Sequence, residues 1–106
     1  MSNQRLDYIL QMLKTEPNDS FLRYALSLEY AKLNELEKAI ETIEALLKDD
    51  SNYVGAYYQL GKLYEQIGNA PLAIDTYKKG IIIAQQQNNR KTLGELNEAL
   101  LSIEDD

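Results

Sequence analysis

The chain has 106 residues, a net charge of −6 and a hydrophobic share of 44 %, values that suit one folded, soluble domain with a small core and no second domain. The acidic balance disfavours the phosphate neutralisation on which nucleic-acid binding depends, and it argues against an anionic membrane surface. Cysteine and histidine are both absent, which excludes disulfides, thiolate nucleophiles, imidazole bases and the usual zinc ligands together.

The start, Met1-Ser2-Asn3-Gln4-Arg5, leads directly into an amphipathic pattern, and the longest aliphatic run is Ile81-Ile82-Ile83-Ala84. Neither a signal peptide nor a membrane span is expected from these stretches, and a cytoplasmic address follows as the default. Over 3–15 the residues Leu6, Ile9, Leu10 and Leu13 fall at helical spacing, so this segment is expected to be a helix with one apolar face. Pro17 closes it, and Asn18, Asp19 and Ser20 offer N-caps for a helix running from Phe21 to Ala31. After a break at Asn34-Glu35 comes another, Leu36 to Lys48, with Ala39, Ile40, Ile43, Leu46 and Leu47 as its apolar stripe.

The same punctuation then returns. Asp50-Ser51-Asn52 is expected to cap a helix from about Tyr53 to Ile67, Gly68 stands where a left-handed residue would end it, and Pro71 falls in the first turn of the next. That helix carries Ile74, Tyr77, Ile81 and Ile82, and Gln85-Gln86-Gln87-Asn88-Asn89 reads as its frayed end and a loop. A last helix over 90–104 places Leu93, Leu96, Leu100 and Ile103 on one face, and its polar other face suits a terminal cap. Glu104-Asp105-Asp106 reads as a solvated tail.

The middle of the chain is internally repeated. Leu26 recurs as Leu60, Ser27 as Gly61, Tyr30 as Tyr64 and Ala39 as Ala73, all thirty-four residues apart, so 20–53 and 54–87 are two copies of one unit. The same offset relates Ile43 and Leu47 to Ile9 and Leu13, which makes 3–15 look like the second half of a preceding unit. Small residues at 27, 39, 61 and 73 allow helices to approach closely, and Tyr30 and Tyr64 are large enough to fill the wider gaps. One unit cannot bury its own apolar face, so both flanking helices are expected to dock.

This pattern, with Tyr57, Leu60, Gly61, Tyr64, Ala73 and Tyr77 in the second copy, resembles the tetratricopeptide repeat. The first copy departs at Arg23, where the family usually has a bulky aromatic, and Ser51 and Gln85 stand where it usually has proline. The resemblance implies an all-α, right-handed solenoid of antiparallel helix pairs, about six helices in all. It also implies that the first helix of each pair lines a concave groove, where Phe21, Tyr24, Leu28, Tyr58, Gln59, Lys62 and Glu65 would face a peptide or helix of a partner protein. Tyr24 and Tyr58 would stand one above the other, either as a binding ladder or as packing between successive helices. The Lys/Asn clamp with which members of the family grip chaperone C-termini is not assembled, because its positions read Tyr24, Leu28, Gln59 and Lys62. Only Lys62 could serve as a carboxylate ligand.

No catalytic constellation is legible. Glu35, Glu37, Glu41 and Glu44 alternate with Lys38 and Lys48 at helical spacing, as a solvated face with ion pairs would. Asp49-Asp50 and the acidic tail lack the alternating oxygen ligands of a calcium loop, and there is no glycine-rich phosphate loop. The expected function is therefore a non-enzymatic scaffold or adaptor with no cofactor, no metal, and neither nucleic acid nor membrane as partner. The alternative is a structural module that self-associates through the face beside the first helix, around Leu6, Tyr8 and Met12.

Overall fold

The computed structural model describes residues 3–104 and holds six α-helices in them: α1 Gln4–Thr15, α2 Ser20–Lys32, α3 Leu36–Asp49, α4 Gly55–Gln66, α5 Ala70–Gln86 and α6 Arg90–Glu104. No strand occurs among the described residues, and Asp105 and Asp106 of the acidic tail lie outside them. None of the helices is long and apolar enough to cross a membrane.

Side-chain caps start four of the helices: Asn3, Asp19, Asn69 and Asn89 accept from the amides of Leu6, Leu22, Leu72 and Thr92. The Asp50-Ser51-Asn52 cap expected for α4 does not form, and no side chain caps that helix. Those three residues are engaged across the turn instead. Asp50 accepts from the Ser20 hydroxyl at 2.6 Å, the Ser51 carbonyl from the Tyr57 hydroxyl at 2.7 Å and the Asn52 carbonyl from the Gln87 amide at 2.6 Å.

Three turns end helices in the same way. Asn34, Gly68 and Asn88 take positive φ of 60°, 81° and 55°, and the amide of each following residue reaches back to Tyr30, Tyr64 or Ala84 at 2.8–2.9 Å. This is the left-handed cap with its six-to-one bond, which glycine and asparagine tolerate best. In the α5–α6 connection it comes late: Gln85 and Gln86 are helical, not frayed, so α5 has 17 residues where α3 has 14. The connection that follows is correspondingly shorter, so α6 starts as far after α4 as α4 does after α2, while its apolar pattern runs two residues behind the repeat register.

Every helix packs on the next in sequence, and α4 also touches α2 and α6. The molecule is thus two hairpins, α2–α3 and α4–α5, flanked by single helices that do not meet, rather than three closed pairs. The main core joins α3, α4, α5 and α6 through Ile43, Leu46, Leu63, Tyr77 and Leu96, all at most 1 % exposed. A smaller, separate cluster of Ile9, Ala25 and Leu26 joins α1 to α2. Truncating one of the main-core side chains to alanine is expected to cost about 2–5 kcal/mol.

Candidate functional site: the face of α2, α4 and α6

Leu26 and Leu60 are buried in their helices, so the opposite stripe of each is free to face solvent. Translation by one repeat carries Leu28 onto Lys62, Ala31 onto Glu65 and Lys32 onto Gln66. These six residues, with Gln59, line a cavity of about 580 Å³ between α2 and α4. A second cavity of about 330 Å³ continues toward α6 and is lined by Tyr58, Lys62, Glu95, Glu98, Ala99 and Ser102. Lys62 belongs to both. Its ammonium lies 3.8 Å from the Glu65 carboxylate and 5.4 Å from the centre of the Tyr58 ring, so a carboxylate and an aromatic face hold it at the middle of the groove.

Leu28, Gln59, Lys62 and Glu65 therefore share one cavity, and Tyr58 is next door. Tyr24 is only partly exposed: its ring lies 5.5 Å from that of Tyr53 and tilts against it, while Tyr58 packs on Tyr77 at 6.4 Å. The two rings do not stack on each other. Phe21 lies elsewhere. Its ring is 68 % exposed and lines, with Tyr8, Met12, Leu22 and others, a separate cavity of about 470 Å³ between α1 and α2. Helices that cross at an angle present one stripe to different neighbours at its two ends, so the start of the α2 stripe faces α1 and its end faces α4.

Ala31, Lys32 and Gln66 were not among the groove residues expected from sequence, nor was any residue of α6. The repeat offset finds Ala31 from Glu65, whereas Lys32 and Gln66 are counterparts of each other and follow from no expected residue. Glu95, Glu98 and Ser102 are the counterparts of Gln59, Lys62 and Gln66 once the two-residue lag of α6 is allowed for.

The groove carries Lys32 and Lys62 against Glu65, Glu95 and Glu98, and nothing in it activates a nucleophile. Tyr24 is held above the usual tyrosine range, first by burial and then by the Glu95 carboxylate. Tyr64 and Tyr77 are raised much further, by burial foremost and by hydroxyl hydrogen bonds to Glu44 and Glu65. These shifts fix the phenols as neutral donors. What the face offers is contact: apolar patches, amides, and charges of both signs along one trough.

Comparison with known proteins agrees with the repeat. Two family models match, one described as TPR repeat over residues 28–68 and one as tetratricopeptide repeat over 54–87. A tetratricopeptide repeat domain protein of Salinibacter ruber is 44 % identical, with 81 % of this chain and 96 % of that one covered and a TM-score of 0.78. A TPR repeat-containing protein of Methanocaldococcus jannaschii is 30 % identical over 83 residues, 78 % of this chain, and the chain spans only 26 % of that relative's length. The TPR2B domain of yeast Sti1, solved in complex with pHsp70, has the same fold at 19 % identity, with 94 % of this chain and 80 % of that one covered and a TM-score of 0.88. With its two copies of the unit, its hairpins and these matches, the chain belongs to the tetratricopeptide repeat family.

Proposed function

We propose that the chain is a non-enzymatic protein-interaction module that receives a peptide or a helix of a partner protein in the groove of α2, α4 and α6. The observation that carries this reading is that Lys62 lines both cavities, which sets the two side by side along three helices. The resemblance in fold to a domain solved with a bound partner, pHsp70, supports it. A chaperone tail is not the expected ligand here, since Tyr24, Leu28 and Gln59 stand at positions where the clamp has lysine or asparagine. The groove residues of this proposal are Leu28, Tyr58, Gln59, Lys62 and Glu65.

Pull-down from a cell extract, read by mass spectrometry against a Lys62→Glu variant, tests this. Lys62 is at the surface, so the variant is expected to melt with the parent while losing at least one captured protein. Identical capture by both proteins would contradict the assignment.

Self-association is the second reading, and it has its own observation: Tyr8 and Phe21, 65 % and 68 % exposed, stand with Met12 around the cavity between α1 and α2. It predicts a dimer or larger species in sedimentation at high micromolar concentration. A monomer there would remove it.

A further inference from the structure

The two flanking helices are held by different means. α6 sets Leu96 and Ala99, 0 % and 4 % exposed, into the main core and packs on both α5 and α4. Among the described residues α1 packs on α2 alone. Its one buried residue is Ile9, which meets Ala25 and Leu26 in a small cluster with Leu6 and Leu13 at the rim and Tyr30 of α2 between it and the main core.

Beside that small contact lies a buried charge. Glu29 is 4 % exposed and takes the place that Leu63 fills in the second repeat. Its Oε2 sits 3.0 Å from Nε of Arg5 on α1 and 3.2 Å from Nζ of Lys32 on its own helix, yet it has no well-aligned hydrogen bond. Burying a carboxylate without such bonds costs desolvation that the ion pairs only partly repay. Opening this interface would return Glu29 to water, so the loss of the Ile9 contact is offset in a way that has no counterpart at α6.

We propose that α1 is a displaceable helix, docked on α2 by the Ile9 cluster and the Arg5–Glu29 pair, which leaves the α2–α6 body as a unit without unfolding it. Its departure bares Leu22, Ala25, Leu26 and the Glu29 carboxylate. The body keeps its core, because no residue of α1 belongs to it. Local opening of this kind is set by the few contacts that must break, not by the stability of the whole.

Amide hydrogen exchange on the whole chain, followed by mass spectrometry, tests the proposal. α1 is expected to exchange at least roughly tenfold faster than α6, the other terminal helix. Arg5→Ala leaves Glu29 with Lys32 alone and is expected to speed exchange in α1 by roughly a further tenfold, with α4 and α5 unchanged. As a control, Leu96→Ala should lower protection throughout the body. Equal exchange of α1 and α6, or an Arg5→Ala effect that is absent or spreads equally to α4, would overturn the proposal.

Discussion

The two repeats share a backbone plan but divide the volume of their interiors in opposite ways. In the first, Ser27 is fully buried and donates to the Ala39 carbonyl at 2.9 Å, and the helix opposite supplies Ile43. In the second, Gly61 stands in the place of Ser27 and Tyr77 in the place of Ile43. A Cβ on Gly61 would lie 2.1 Å from the Tyr77 ring, so the larger side chain fits only because the smaller one has vanished. One level along, the positions of Arg23 and Leu46 in the first copy hold Tyr57 and Gly80 in the second, where a Cβ on Gly80 would lie 2.6 Å from that of Tyr57. At the level of Ser27 and Gly61 the two copies thus keep the sum over a pair of positions rather than the residue at either one.

This contrast is broken most sharply by filling the glycines. Gly61→Ala should lower stability by about 2 kcal/mol, an overpacking cost reduced by alanine's better helix propensity. Gly80→Ala should cost a similar amount, about 2 kcal/mol, since its nearest neighbour, at 2.6 Å, is the Cβ of Tyr57, which moves only with the backbone of α4. Chemical denaturation measures both. Transplanting the first repeat's pair, Gly61→Ser with Tyr77→Ile, should be less damaging than the two single changes added together, by roughly 1–2 kcal/mol of coupling. Strict additivity would show that the pairs are independent.

A smaller effect sharpens the same comparison through pH. Ile43 cannot titrate, whereas its counterpart Tyr77 and the interface residue Tyr64 are held neutral well above the ordinary tyrosine value of 10.0. A group whose folded pKa is raised contributes fully below its unfolded pKa and loses that contribution as pH climbs toward the folded one. Melting temperature should therefore fall above about pH 10, and Tyr64→Phe and Tyr77→Phe should each flatten the fall. A melt that is equally steep in the variants would assign the alkaline loss to other groups.

The fold was legible because its determinants are local and repeated: small residues at 27, 39, 61 and 73, tyrosines at 30 and 64, and Gly68 at a left-handed cap. The groove was only half legible. Leu28, Gln59, Lys62 and Glu65 follow from the resemblance, but Phe21, which shares the stripe of Leu28 on α2, lines the cavity against α1 instead, and no spacing rule tells which neighbour each end of a stripe meets. Glu95, Glu98 and Ser102 were missed because the side-chain pattern of α6 runs two residues behind the repeat. The turn residues Asp50, Ser51 and Asn52 were misread as caps since their tertiary partners, Ser20, Tyr57 and Gln87, lie up to 35 positions away in sequence. Polar residues in a turn can serve either use, and local sequence does not choose between them.

The central claim, that partners are received between α2, α4 and α6, is tested most directly by amide chemical-shift mapping of the labelled domain as a captured partner is added. The account predicts that shifts concentrate at Leu28, Gln59, Lys62, Glu65, Glu95 and Glu98. Shifts confined to Tyr8, Met12 and Phe21 would contradict it and move the interface to the far side of α2.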